Sequence, residues 1–314
     1  AGFLASCIEY FKEKDQTVFE TEENRNFYNN EMFNGSDSDQ SMIRISNMNL
    51  LLHGVENSNI INQDSLSESV SNEKEIHDLI LANPPFSGSL EEAGLSKDLQ
   101  LGTNIKSTEL LFVSLFLRSL SNGGRCAFII KNTFLSGGSK LHKELRKNLT
   151  EEHKLEGIIT LPSGIFKPYS GVSTCIVIFT KTNSGGTDNV WYYDLQSDGY
   201  SLDDKRDSLL EDNKLGPNAV LSSEEHKENN LPDTLRRWKN RANESSRKRI
   251  DQSFLVPKEE IINNGYDLNP NLYKEFVYDE IIYDPPEQII SDLLDIEKDV
   301  QKNLHELNDL LKND

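Results

Sequence analysis

The sequence predicts an α/β domain whose sheet is largely parallel, followed by a separate C-terminal helix. Short apolar runs typical of strands lie at 77–82, 125–131, 155–161, 173–180 and 190–195, with helical spacing at 107–121 and 140–149. Strands that alternate with helices favour an α/β sheet, whose ligands bind beyond the carboxyl ends of the parallel strands. Two turn signals support this prediction, because Asn-Pro-Pro follows the first run and Asn-Gly-Gly precedes the second.

Two amphipathic helices are predicted before the first of these strands. In residues 2–14, one face would carry Phe3, Leu4, Cys7, Ile8 and Phe11. In residues 40–53, the helical spacing is that of Met42, Ile45, Met48, Leu51 and Leu52. Gly54 stands where a helix often ends in glycine, and a short apolar run at 60–61 follows before a turn. The run at 77–82 is predicted to be a buried strand.

The alternating pattern ends at about residue 198, and the rest of the chain is polar and charged. Residues 235–250 hold seven basic side chains against the single acid Glu244, which indicates either a solvated helix face or a contact for phosphate or a partner. After Pro285-Pro286, apolar residues recur every three or four positions from Ile289 to Leu311. This spacing predicts a helix of about 25 residues with one apolar seam, packed on the chain itself or on another subunit.

The composition of the chain limits the classes of function open to it. Among 314 residues, 33 Lys plus Arg stand against 52 Asp plus Glu, so the formal net charge is −19. A free-standing nucleic-acid binder normally has a basic surface, so a partner or a local patch would have to attract DNA. The three cysteines lie far apart without metal-ligand spacing, which favours buried, reduced thiols in a cytoplasmic protein. No apolar stretch approaches the ~20 residues of a membrane span, so no membrane partner is expected.

The tetrapeptide Asn83-Pro84-Pro85-Phe86 is the sharpest chemical signal in the sequence. Two prolines directly after a strand make a rigid loop, which would hold the Asn83 side-chain oxygen and the Pro84 carbonyl as two fixed acceptors. Acceptors aimed at the hydrogens of a planar exocyclic amino group would stabilise the charge that develops when this poor nucleophile attacks. Phe86 would offer a base a flat face for stacking. The alternative is an ordinary Asn-Pro turn after a strand.

Several short motifs follow one another in an order that is typical of one protein family. They are Ala1-Gly2-Phe3-Leu4, Gly35-Ser36-Asp37, Met48 to Gly54, Gln63-Asp64-Ser65-Leu66, Asp78 to Phe86, Leu161 to Phe166 with Gly171 to Thr174, and Gly265 to Pro270. Together they resemble the N6-adenine DNA methyltransferases, specifically the modification subunits of type I restriction–modification systems. The resemblance covers nearly the whole chain. It implies a Rossmann-like methyltransferase sheet with helices on both faces and a C-terminal helical extension.

The resemblance also implies a role for each candidate site residue. The catalytic residues would be Asn83, Pro84, Pro85 and Phe86, and no metal would be needed. The residues that bind the cofactor, S-adenosyl-L-methionine, would be Ala1, Gly2, Phe3, Asp37, Asp64 and Ser65. Asp37 would hold the ribose hydroxyls, although Asp39 is a rival for that role and Asp37 could instead cap the next helix. Asp64 could alternatively form an Asx turn at a strand end.

The resemblance also implies a division of the chain into domains. Residues 1–198 would form the methyltransferase catalytic domain, 199–284 a polar and basic connecting region that completes it, and 285–314 a helix that docks on another subunit. The family's cofactor loop and a helical region would precede Ala1, so this chain alone is expected to bind cofactor weakly and to be inactive. Three aromatic residues in loops could line a base pocket but are expected to pack in the core: Phe134, Phe166 and Tyr169.

The predicted reaction is methyl transfer to N6 of an adenine flipped out of duplex DNA. The expected partners are duplex DNA, a specificity subunit, a restriction and translocase subunit and a second modification subunit, in the cytoplasm of a bacterium or archaeon. Two alternatives stay open. One is a related methyltransferase that acts on protein glutamine or RNA, and the other is a non-catalytic scaffold subunit, which the acidity and the seam-bearing helix would also suit.

Overall fold

The computed structural model describes residues 1–86, 88, 94–100, 107–275 and 285–312, and it contains a central mixed sheet flanked by helices. The strands are β1 Asn34–Asp37, β2 Asn59–Asn62, β3 His77–Ala82, β4 Leu120–Lys131, β5 Lys154–Thr160, β6 Thr174–Thr180, β7 Asn189–Asp194 and β8 Ser253–Pro257. The helices are α1 Gly2–Lys14, α2 Glu22–Asn30, α3 Gln40–Leu52, α4 Thr108–Ser119, α5 Thr133–Ser136, α6 Lys140–Glu151, α7 Glu225–Glu228, α8 Leu231–Lys239, α9 Lys258–Asn263 and α10 Pro286–Lys312.

Six strands form the larger sheet in the order β3-β4-β6-β5-β7-β8. Strands β3, β4, β5 and β7 run in one direction, whereas β6 and β8 are antiparallel to their neighbours. The sheet is therefore mixed rather than largely parallel. The four parallel strands end at Ala82, Lys131, Thr160 and Asp194, so the loops that follow them share one edge of the sheet. Strands β1 and β2 form a separate parallel pair.

Helices cover both faces of the larger sheet, as the resemblance implied. The alternation along β7 shows why, because successive side chains of a strand point to opposite faces. Val190 and Tyr192 belong to the core beneath α4, α6 and α9, whereas Trp191 and Tyr193 pack on the other face against α8. A third, smaller core lies among α1, α2, α3 and the β1–β2 pair, around Ile8, Tyr28, Phe33, Leu50 and Val55.

The helix predicted at 40–53 and the strand predicted at 77–82 both form, and the burial predicted for the strand is wrong. In α3 the spaced apolar residues noted in the sequence are exposed, and the buried positions are Ile43 and Leu50. The exposed side chains are Met42, Ile45, Met48, Leu51 and Leu52. Strand β3 was predicted to be buried, but it is the outer strand of its sheet, and Leu79 and Leu81 are 55% and 36% exposed.

The chain divides into two compact units, residues 1–275 and 276–314. In the first unit, β8 comes from the polar region after residue 198 and pairs with β7. The boundary at 198/199 stays a prediction. In the second unit, the predicted C-terminal helix is α10, which begins at Pro286. Among the described residues, no helix is long and apolar enough to cross a membrane.

Candidate active site

The Asn83–Phe86 loop begins where β3 stops pairing with β4. Their parallel register ends at Ala82, opposite Phe128, and the two prolines that follow have no N–H groups with which to continue the ladder. Pro84 is buried, whereas Asn83 and Pro85 are exposed. The loop therefore lies at the carboxyl edge of the sheet, with its first residue accessible to solvent.

The two acceptors predicted from the sequence are free in this loop. Within the described residues, neither the side chain of Asn83 nor the carbonyl oxygen of Pro84 takes part in a hydrogen bond. The described residues thus leave both oxygens unpaired, with Asn83 exposed and Pro84 buried. Unpaired acceptors on a rigid backbone need little reorganisation to bind a donor, which is the property that favours electrostatic stabilisation during a reaction.

An aromatic pair adjoins these acceptors. The ring centroids of Phe86 and Phe166 are 5.6 Å apart, and their planes are tilted by 52°. Phe166 lies in the loop after β5 and is half-buried, partly packed on the core under α8. Phe134 is fully buried, as expected, but the expected core packing of Tyr169 is wrong because its side chain is 95% exposed.

Gly88, two residues after the Asn83–Phe86 loop, is attached to the start of α4. Thr108 donates from its hydroxyl to the Gly88 carbonyl at 2.9 Å. Gly88 has a φ of +141°, and a Cβ there would lie 3.0 Å from the Thr108 hydroxyl, so a larger residue would disturb this attachment. The buried Glu109 carboxylate accepts the backbone N–H of Lys131 at 3.0 Å and pairs with its ammonium at 3.1 Å, which joins α4 to the end of β4.

Sequence reasoning missed these attachments. Thr108, Glu109 and Lys131 are separated from the loop by more than 20 positions, and none of them lies in a motif that marks a site. Ser107, at the N-cap position of α4, predicts where the helix starts but not which residues the start of the helix contacts. The loop could be found from its sequence, whereas its supports depend on the tertiary structure.

The carboxyl ends of β1 and β2 bring together three of the candidate cofactor residues. The parallel register pairs Asp37 with Asn62, so Asp64 and Ser65 follow directly beside the end of β1. The hydroxyl oxygens of Ser36 and Ser65 are 2.7 Å apart. Asp37 and Asp64 are both exposed. This edge therefore presents two carboxylates and two hydroxyl groups to solvent.

Each of the three carboxylates near this edge has a local partner. Asp64 accepts the N–H of Leu66 at 3.0 Å, which is the Asx turn considered from the sequence. Asp39 caps α3 by accepting the N–H of Ser41 at 2.7 Å. Asp37 accepts the N–H of Asp39 at 2.9 Å with one oxygen, and its other oxygen has no hydrogen bond within the described residues. The capping role considered for Asp37 thus belongs to Asp39.

Ala1, Gly2 and Phe3 form the beginning of α1. Ala1 is the N-cap residue, and no side chain caps the helix there. The first N–H groups of a helix have no intrahelical partners, and they lie at the positive end of the helix dipole, which favours an anion. No hydrogen bond in the described part of the chain joins these residues to the β1–β2 edge or to the Asn83–Phe86 loop.

Two of the three thiols, Cys126 and Cys175, are buried in the core. Burial raises the pKa of the Cys126 thiol and, with the nearby Glu109, that of the Cys175 thiol. Both thiols are therefore protonated and poor nucleophiles near neutral pH. The described residues contain no group of three or more His, Cys, Asp or Glu side chains that could hold a metal ion.

A family model and several known proteins match this chain. The model of the N-6 DNA methylase family matches residues 1–280. The Escherichia coli type I restriction enzyme EcoEI methylase subunit is 34% identical over 194 residues, which are 62% of this chain and 38% of that protein. This chain therefore spans well under half of that relative.

Solved structures of similar proteins also match. A chain from a structure of the assembly and conformational transition of the type I R-M system has a TM-score of 0.65 and 25% identity, covering 100% of this chain and 60% of that one. The EcoKI M protein has a TM-score of 0.60 at 21% identity, covering 98% of this chain and 67% of that one, and it supports the fold alone. Since the family model spans most of its length, the chain belongs to the N-6 DNA methylase family.

Proposed function

We propose that this chain is the catalytic part of a type I modification subunit, which transfers a methyl group to N6 of adenine in duplex DNA. Family membership already implies a methyl donor. The observation that carries the finer proposal is that the acceptors on Asn83 and Pro84 have no hydrogen bond within the described residues and that the Phe86–Phe166 pair follows them. These groups match an exocyclic amino group attached to a flat ring.

The proposed mechanism uses the loop in two ways. The adenine leaves the base stack, because its N6 cannot be reached within the duplex. Its ring stacks on Phe86, and its two N6 hydrogens are donated to the Asn83 side-chain oxygen and the Pro84 carbonyl. Both bonds strengthen as positive charge develops on N6, so they stabilise the transition state more than the ground state. Thr108 and Glu109 keep the loop in place through Gly88 and Lys131.

The β1–β2 edge fits the proposed cofactor, S-adenosyl-L-methionine, which supplies a methyl group on a sulfonium when bound. The free oxygen of Asp37 would accept ribose hydroxyls, and Asp64 with Ser65 would contact the adenine of the cofactor. The N–H groups at the start of α1, which the Ala1 side chain does not cap, would suit the carboxylate of the methionine part. S-adenosyl-L-methionine requires acceptors for its ribose hydroxyls and donors for its carboxylate, and this edge with the start of α1 offers both.

Partners are proposed for the functions that this chain lacks. A net charge of −19 gives little long-range attraction for DNA, so a specificity subunit would recognise the sequence and hold the duplex. Helix α10 carries exposed apolar residues and is the proposed docking element for that subunit. A restriction and translocase subunit and a second modification subunit would complete the assembly.

The test is transfer of a labelled methyl group to duplex DNA by the intact modification subunit with its specificity subunit. We expect label on N6 of adenine, and Asn83→Ala should lower kcat at least ~100-fold because one of two transition-state acceptors is lost. Asn72→Ala is the matched control, since Asn72 is also exposed and its side chain has no hydrogen bond within the described residues. Transfer to protein glutamine or RNA instead of DNA would overturn the proposal, and so would full activity of Asn83→Ala. Absence of transfer to any acceptor would favour the scaffold alternative.

A further inference from the structure

A cavity opens on the same edge of the sheet as the Asn83–Phe86 loop. It has a volume of about 410 Å³ and lies at the ends of β4, β5 and β7, where Asn132, Thr160 and Asp194 line it. Its opposite wall is the segment after α9 and includes Asn271 and Lys274. Cavities of this size hold small organic groups, and the carboxyl edge of parallel strands is where α/β proteins bind them. None of the residues Asn83 to Phe86 lines this cavity.

The walls of the cavity are held together by one buried arginine. Arg146 of α6 is only 3% exposed and donates to the carbonyls of Phe134 and Gly137 on one wall, at 2.8 and 3.0 Å. It also donates to the carbonyl of Tyr266 at the base of the other wall, at 2.6 Å. The cavity is thus preformed rather than left over between loosely packed elements. The motif Gly265 to Pro270, noted in the sequence without a chemical role, contributes its last two residues, Asn269 and Pro270, to the second wall.

The charges in the cavity exclude an anion as the main ligand. Asp194 and Lys274 are the charged residues among those that line it, and their carboxylate and ammonium groups are 2.7 Å apart. Thr160 donates to the same carboxylate at 3.1 Å. A phosphate would need an unpaired cation, which this pair does not offer. A neutral ligand with both donors and acceptors can bind the pair without separating it.

The uncharged polar groups favour a planar ring with hydrogen-bonding edges. The Asn132 side-chain oxygen is buried without a partner, and the Asn271 side chain is exposed without a hydrogen bond in the described residues. Rotation of the Asn132 amide about its last bond, which is a soft torsion, turns either its oxygen or its nitrogen toward the cavity. Asparagine amides pair with base edges through one donor and one acceptor, and Leu135, Leu161 and Phe254 supply apolar wall.

We infer that this cavity binds a second nucleobase of the DNA substrate, within a few positions of the flipped adenine. Strands lie about 4.8 Å apart, so the ends of β4, β5 and β7 are about 5 to 20 Å from the end of β3. At a rise of about 3.4 Å per nucleotide, this distance corresponds to a few positions along one strand. The inference rests on the proposed function, because it requires DNA at this edge of the sheet.

The test compares variants that remove an amide without breaking a hydrogen bond seen in the structure. Asn132→Ala and Asn271→Ala alter the cavity. Asn148→Ala and Asn243→Ala are their controls, since Asn148 also has a buried oxygen without a partner and Asn243 is also exposed. The measurements are the Kd for a fluorescent duplex and the fluorescence of 2-aminopurine placed at each position that flanks the methylated adenine. The protein is the complete complex, and thermal unfolding is followed in parallel.

We expect each cavity variant to weaken DNA binding about ten-fold, as for the loss of one good hydrogen bond, at an unchanged Tm. One flanking position should report an unstacked base in the wild type and lose that signal in both cavity variants. If both variants bind DNA with the wild-type Kd and every flanking base is stacked, the cavity holds only water and the inference is overturned. Methylation that persists in the same experiment would leave the proposed function intact. A wild-type complex that neither binds nor methylates DNA would overturn the proposed function as well.

Discussion

Asp37 and Asp39 show how two identical side chains, two positions apart, take different tasks. Asp39 caps α3, and its N–H in turn is held by one oxygen of Asp37. The sequence could not decide between them as the ribose ligand, because the answer depends on the residue at which α3 begins. Once that residue is known, the cap is assigned to Asp39, although each of the two carboxylates keeps one oxygen without a hydrogen bond within the described residues. Asp37, which is left without the capping task, stays the proposed ribose ligand.

We therefore expect Asp37→Asn to weaken binding of S-adenosyl-L-methionine at least ~10-fold, because a charged acceptor of two hydroxyls becomes a neutral amide. Asp39→Asn is the matched control, since asparagine is an equally good N-cap and α3 should stay intact. Isothermal titration calorimetry on the intact subunit measures both. Equal losses in the two variants would contradict the assignment.

His153 predicts a pH dependence of stability that is independent of the active site. Burial, and then the charge of Lys181, lower the pKa of His153 to about 4, and its Nδ1 accepts the N–H groups of Thr182 and Asn183. In the unfolded chain the His153 side chain takes up a proton near pH 6.5, whereas in the folded chain it stays neutral until about pH 4. The contribution of neutral His153 to stability is therefore fully present above pH 6.5 and is lost as the pH falls toward 4. From pH 7 to pH 5 the loss should be about 2 kcal/mol.

The measurement is urea unfolding as a function of pH, with His153→Asn as the comparison. Asparagine keeps an acceptor near the position of Nδ1 but cannot take up a proton, so its stability should change less over the same range. If both proteins lose the same free energy of unfolding between pH 7 and pH 5, another group is responsible.

Elements whose signals are local were predicted well, and those that depend on distant strands were not. Helices α1 and α3 begin and end within about a residue of prediction, because their caps and spacing lie in the chain itself. The place of Asn83 after β3 was predictable for the same reason. The antiparallel directions of β6 and β8 and the exposure of β3 depend on which strand lies beside which. Strand β8 was missed because its five residues lie within a polar, charged region.

Helix α6 is expected to contribute stability through Arg146 as well as through its buried leucines, because Arg146 satisfies three carbonyl oxygens from two separate segments. Arg146→Met keeps much of the side-chain volume but leaves those acceptors without a donor. The free energy of unfolding should fall by on the order of 3 kcal/mol. Urea denaturation measures this loss, and the exposed neighbour Lys147→Met should change it by less than about 0.5 kcal/mol. A loss for Arg146→Met as small as that of the control would mean that water replaces the guanidinium.

At the scale of the whole molecule, the basic run at 235–250 is used for internal ion pairs. Arg237 pairs with Asp233 at 2.7 Å and with the buried Glu244 at 2.9 Å. Burial alone would raise the pKa of Asp233, but hydrogen bonds from Arg236 and Arg237 hold it below its usual value. Arg241 and Arg249 pair with Glu156 and Glu260. Neither interpretation made from the sequence anticipated this result, because most of the acids come from outside the run.

The exposed seam of α10 is then the surface best suited to a partner. Leu293 and Val300 on this helix are 60% and 50% exposed. We expect Leu293→Ala/Val300→Ala to abolish co-purification with the specificity subunit, because the double variant removes apolar area from the seam while alanine preserves the helix. The control is Asp295→Ala/Lys298→Ala, which removes an exposed ion pair of 2.9 Å on the same helix. Wild-type association of the seam variant, measured by size-exclusion chromatography, would exclude α10 as the docking element. Loss of association in both variants would instead indicate a charged interface.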